Sequence, residues 1–112
     1  MRKGLAAAAL SLVVAGAWCQ PVGAASTVSV KAFEFKYTLS KKTVGKGSVT
    51  FTIKNTGKLN HDLKINGKTS SMVKPGKSTT FTVTFKKAGK FAYVCTVPGH
   101  AKAGMKGTLT VS

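Results

Sequence analysis

The chain has 112 residues, with 18 lysines and arginines against two acidic residues and a formal net charge of +16. That length suits one domain. Only two histidines and two cysteines are present, which excludes the many-ligand, multi-metal enzymes. The basic residues are spread evenly and are almost all lysine, without arginine forks or a recognition helix, so nucleic acid is excluded as a partner. An acidic protein or an anionic membrane surface is the natural counterpart of such a field.

Residues 1–24 read as a secretory signal peptide. Arg2 and Lys3 start it, Leu5 to Ala17 is a short apolar run, and Val22-Gly23-Ala24 supplies the small residues before a cut after Ala24 or Ala25. A retained membrane anchor would need a longer run. Lipidation at Cys19 is disfavoured by the bulky Trp18 before it. The implied location is the periplasm or the exterior. Residues 25–112 then form one domain that holds 16 lysines against Glu34 and Asp62, a net charge of +14. A domain of this size buries about 60–65% of its unfolded surface. Cys19 leaves with the leader, so Cys95 has no internal disulfide partner. It must be buried, pair between chains, react or bind metal.

From here the pattern has period two, with no helical period. Thr27 to Phe33 reads as a first strand and Phe35 to Leu39 as a second. Gly47 to Asn55 alternates with Val49, Phe51 and Ile53 inward, and Asn55-Thr56-Gly57-Lys58 is a turn. His61 to Ile65 is a short strand with Leu63 and Ile65 on the face of His61. Gly67 to Val73, including Met72, is a loop or short helical turn. Ser78 to Phe85 alternates again, and Lys90 to Cys95 and Lys106 to Val111 complete the set. Phe33, Phe35, Phe51, Phe81, Phe85 and Phe91 are expected in the core. Six to eight short strands with regular turns argue an all-β antiparallel sandwich or barrel.

The chemistry concentrates between Tyr93 and Met105. Alternation puts Phe91, Tyr93 and Cys95 on one face, so Cys95 leaves the sandwich at the inner end of its strand. His61 points into the same end if the two strands are neighbours, and His100 and Met105 close over it from the loop. Each residue alone has a plainer reading: a buried thiol, a turn histidine, a core methionine. Their common register favours a metal site instead. Two nitrogens, a thiolate and a weak thioether are the blue-copper donor set.

Cys95-Thr96-Val97-Pro98-Gly99-His100, continued by Ala101-Lys102-Ala103-Gly104-Met105, resembles the ligand loop of the cupredoxins, the small blue copper proteins of plastocyanin and azurin type. Asn55 and His61-Asp62 resemble that family's first-histidine segment. The resemblance covers most of the domain and implies a Greek-key sandwich holding one type 1 copper ion. It implies His61 and His100 as imidazole ligands, Cys95 as the thiolate and Met105 as the axial donor. Thr96 matches the hydroxyl residue that, in the family, bonds an Asn just after the first histidine. Asp62 stands there instead, and a carboxylate at that place would favour Cu(II). The backbone at Asn60 is a candidate further contact opposite Met105.

The implied role is one-electron transfer by a monomer, not catalysis. Electrons would pass at an exposed edge of His100, framed by Val97, Pro98, Ala101 and Ala103, with Lys102 and Lys106 steering an acidic redox partner such as a cytochrome or oxidoreductase. A copper delivery module and a metal-free exported interaction domain are the competing readings. A thiol hydrolase is weaker, since no helix is at hand to activate Cys95.

Overall fold

The computed structural model describes residues 26–112; the leader read in residues 1–24, with Cys19, lies outside the described residues. Nine strands form there: β1 (Ser26–Phe33), β2 (Lys36–Leu39), β3 (Thr43–Val44), β4 (Gly47–Asn55), β5 (Lys64–Ile65), β6 (Lys68–Thr69), β7 (Ser78–Phe85), β8 (Gly89–Val94) and β9 (Lys106–Val111). Six are substantial. The other three, β3, β5 and β6, have two residues each, too short to leave a readable alternation.

The strands make a four-stranded sheet in the order β2-β1-β4-β7 and a five-stranded sheet in the order β3-β9-β8-β5-β6. Most pairs are antiparallel, as expected. The two exceptions are β1 with β4 and β3 with β9, which run parallel. Parallel neighbours need a crossover of a dozen or so residues. Here β2 and β3 supply the first one: the chain leaves β1, visits the opposite sheet at β3, and returns beside β1 as β4.

Alternation decides which side chains meet between the sheets. In β1 the inward set is Val28, Val30 and Ala32, and in β4 it is Val49, Phe51 and Ile53, all at most 1% exposed. β7 adds Val83 and Phe85, β8 adds Tyr93, and β9 adds Leu109 and Val111. Each large apolar side chain buried in this way contributes roughly 1.5–3 kcal/mol. The outer faces carry threonine, with Thr50 3.2 Å from Thr82 across the β4–β7 pair; such cross-strand pairs suit a solvated sheet face.

Two aromatic expectations fail. Phe33 and Phe35 are 45% and 41% exposed, because Phe33 falls on the outward phase of β1 and Phe35 sits in the turn to β2 at φ 66°. Phe51 and Phe85 are core, with Phe81 and Phe91 packed against it. The His61–Ile65 strand is also shorter than expected. Only Lys64 and Ile65 pair with β8, while His61 makes an isolated bridge to Val73. The stretch before Val73 holds β6, and Met72 is exposed on the loop that follows.

Candidate metal centre

β8 and β9 form a hairpin whose connection is the stretch from Cys95 to Met105. Its base is pinned where the Cys95 N–H donates to the Met105 carbonyl at 3.1 Å. Within the loop, His100 N–H donates to Val97 O at 3.0 Å and Met105 N–H donates to His100 O at 3.0 Å. The chain therefore folds back so that Cys95, His100 and Met105 come together. Gly99 at φ 85° and Gly104 at φ 117° take backbone conformations that side-chain-bearing residues resist.

The fourth side chain arrives from the other direction. β5 lies beside β8, with Ile65 opposite Tyr93, so the neighbour relation on which the His61 argument depended is met. His61 is held by two backbone bonds to Val73, of 3.1 and 2.8 Å. Asn55 reinforces them. It continues the inward phase of β4, is fully buried, and donates through Nδ2 to Leu59 O at 2.7 Å and Val73 O at 2.8 Å. Its Oδ1 accepts the Gly57 N–H at 2.8 Å. One amide thus ties together the loops on both sides of His61.

The resulting cluster is compact and buried. One donor atom each from His61, Cys95 and His100 lies within 4.8 Å of the others, and all three residues are buried. The two Nδ1 atoms are 3.1 Å apart, and Cys95 Sγ is 3.6 Å from His100 Nδ1. Donors converging on one ion at about 2.0–2.1 Å for nitrogen and about 2.3 Å for sulfur stand at nearly these separations. Met105 is 0% exposed and backbone-bonded to both loop partners. A borderline-soft ion that accepts imidazole, thiolate and thioether fits this set, and copper is the first-row metal that does. Burial and the adjacent His61 lower the His100 pKa from its ordinary value, opposed by Glu34 and Asp62. A neutral ring, with a free lone pair at Nδ1, is the form a metal requires.

Around the donors, Asp62 is 3% exposed. It accepts the Thr96 N–H at 2.7 Å through Oδ1 and the Thr96 hydroxyl through Oδ2, so the two ligand segments are tied as the sequence suggested, with a carboxylate in place of an amide. Tyr37 donates its hydroxyl to the Asp62 carbonyl. Burial, then the nearby Cys95, raises the Tyr37 pKa far above its ordinary value, which keeps that donor protonated. Asn60 is exposed and makes no side-chain hydrogen bond among the described residues.

Three participants escaped the sequence reading. Glu34, in the β1–β2 turn, reaches His61. Its Oε1 accepts Lys58 N–H at 2.7 Å and Leu59 N–H at 3.0 Å, and lies 3.1 Å from His61 Nε2. The Leu59 hydrogen bond is the main reason its pKa falls below the usual value. Phe35, from the same turn, stands edge-on to the His100 ring at 5.3 Å and 87°. His100 is 7% exposed, so little of the imidazole edge expected at the surface is open. Val73 is the third, as the bridge partner of His61. Glu34 had one signal, its rarity: it is one of only two acidic residues in the chain.

The comparison with protein families agrees with this donor set. A family model described as a cupredoxin-like domain matches residues 6–111. The chain belongs to the cupredoxin-like family. Its cofactor is copper, and His61, Cys95, His100 and Met105 have the arrangement of a type 1 site. A copper-resistant cuproprotein, CopI, of Pseudomonas aeruginosa is 52% identical over 42 residues, 38% of this chain and 23% of that protein. Auracyanin-B of Chloroflexus aurantiacus is 46% identical over 43 residues, 38% of this chain and 18% of its own length. The aligned stretch thus spans under a quarter of either relative. Among solved structures, auracyanin B superposes with a TM-score of 0.70 at 24% identity, covering 78% of this chain and 88% of that one. Rusticyanin from Thiobacillus ferrooxidans gives 0.66 at 24% identity, covering 79% and 77%. Those two likenesses bear on the fold of this cupredoxin alone.

Proposed function

We propose that this cupredoxin is an exported one-electron carrier in which His61, Cys95, His100 and Met105 hold one copper ion. Bound copper supplies a Cu(II)/Cu(I) couple. The observation that carries the reading is the set of three donors within 4.8 Å, all buried, with Cys95 and His100 held by backbone bonds within the β8–β9 loop and His61 by its bridge to Val73. Such a frame keeps the donors in one geometry in both oxidation states, so little has to move when an electron passes. Export rests on the leader pattern in residues 1–24 and fits the single thiol of the domain, which ligation protects from oxidation.

The exchange surface is the loop around His100. Val97 and Ala101 are half-buried there, while Pro98, Lys102, Ala103 and Lys106 are exposed. Phe35 joins them, exposed itself and in T-shaped contact with the His100 imidazole. A partner would dock on a small apolar patch with lysines beside it, which suits a short-lived complex with an acidic redox protein such as a cytochrome or oxidoreductase. An anionic membrane surface would concentrate the same monomer by the same field. Replacing Lys102 and Lys106 by glutamine is expected to slow exchange with an acidic cytochrome by roughly 3–10-fold at low salt, with the difference vanishing near 1 M salt. Equal rates at low salt would remove the steering role from those two lysines.

A second reading, copper holding or delivery under copper stress, is favoured by the local match to a protein named as copper-resistant. The two roles part in one experiment. A carrier gives a reversible voltammogram over many cycles and keeps its metal against a competing thiol chelator. A delivery protein surrenders Cu(I) to that chelator within the same cycles, and this outcome would end the carrier assignment.

A further inference from the structure

From the hydrogen bond between its carboxylate and the outer nitrogen of His61, we infer that Glu34 is a positioning residue for the metal centre, orienting that ring and adding negative charge behind it. The inference rests on His61 being a ligand in the reading above. The folded part carries 16 lysines against two acidic residues, yet the close contact of the Glu34 carboxylate among the described residues is with the His61 ring and not with a lysine ammonium.

The geometry is that of a built contact. A single oxygen, Oε1, takes the Lys58 and Leu59 N–H groups at 2.7 and 3.0 Å and meets His61 Nε2 at 3.1 Å. The two amides aim the carboxylate, and the carboxylate aims the ring. A carboxylate acceptor at Nε2 places the ring proton there and leaves the Nδ1 lone pair facing His100 Nδ1 and the Cys95 side of the cluster. Gly57 makes room for this. A Cβ at that position would overlap the Glu34 carboxylate, with Cδ at 2.7 Å. His61 is itself 0% exposed, against 22% for the Glu34 side chain, so the negative charge reaches the buried ring through one short contact.

Charge and orientation separate experimentally. Glu34→Gln keeps an acceptor oxygen but removes the charge. Glu34→Ala removes both. Gly57→Ala keeps the charge and displaces it, because the colliding atoms are the far end of a flexible side chain. In copper-loaded protein, Glu34→Gln is expected to raise the reduction potential by at least about 59 mV, a tenfold shift in the oxidised-to-reduced ratio at a fixed poise, with the visible band retained. In metal-free, nitrogen-15-labelled protein with neutral rings, His61 is expected to carry its proton on Nε2, and Glu34→Ala and Gly57→Ala to shift the ring at least twofold toward the other tautomer. An unchanged potential in Glu34→Gln overturns the charge role, and an unchanged tautomer in both other variants overturns the positioning role. If the unsubstituted protein takes up copper without a visible band, the carrier reading falls, and the tautomer measurement still decides Glu34.

Discussion

Cys95→Ser is expected to yield a folded protein that stays colourless with Cu(II), whereas the unsubstituted protein shows an intense thiolate-to-copper absorption. Cys95 is 2% exposed and its sulfur lies 3.6 Å from His100 Nδ1, so it has no route to solvent and its neighbour is the other candidate ligand. Serine nearly matches cysteine in shape, and its hydroxyl can partner His100, so the metal-free protein should lose no more than about 1–2 kcal/mol. The effect on metal is far larger. Loss of an outer hydrogen-bond partner typically costs about 10–100-fold in affinity, and loss of a direct thiolate donor should exceed that. Visible titration with Cu(II) and urea unfolding of the metal-free forms measure the two quantities separately. A serine variant with the same band would remove Cys95 from the site.

Asn55→Ala is expected to be strongly destabilising near the metal centre, at about 2–4 kcal/mol. The side chain is 0% exposed and serves three backbone groups: Leu59 O, Val73 O and Gly57 N. Truncation removes three hydrogen bonds at roughly 0.5–1.5 kcal/mol each; Val73 O keeps the His61 N–H, and the part-buried Leu59 O and Gly57 N–H lose their partner. Total stability for a domain is about 5–15 kcal/mol, so a small one could lose most of its margin. The bridge between His61 and Val73 shares one of these carbonyls, so copper affinity should fall together with stability. Urea unfolding with and without copper checks this. Near-equal midpoints for the two proteins would show that the loops hold without the amide.

Both residues were visible to different degrees before the fold was known. The long strands were legible because each side chain's environment follows from its neighbour two positions away: Gly47–Asn55 and Ser78–Phe85 have the bounds that the alternation implied. Cys95 and His61 were placed on inward faces by the same phase. Asn55 was read as the end of that strand and the start of a turn; that it keeps the phase of Val49, Phe51 and Ile53 and is buried, and which three groups it serves, came from the structure. The two-residue strands β3, β5 and β6 had no such signal, because their existence depends on a partner strand distant in sequence. Phe33 and Phe35 misled for a related reason. Being aromatic favours burial in general, but strand phase and a turn at positive φ decided against it here.

The sequence by itself determined the sandwich class, the basic field and the loop in which Cys95, His100 and Met105 lie together. These are local properties: periodicity, composition and spacing within eleven residues. The tertiary structure alone decided that the β1–β2 turn, some twenty-five residues before His61 and more than sixty before His100, lies against both rings. It placed Phe35 over His100 and Glu34 behind His61, because β1 returns beside β4 through the opposite sheet. Non-local pairing of that kind leaves no periodic trace in the chain, and it is what brings Glu34 to the metal end that Asp62 already occupies beside His61.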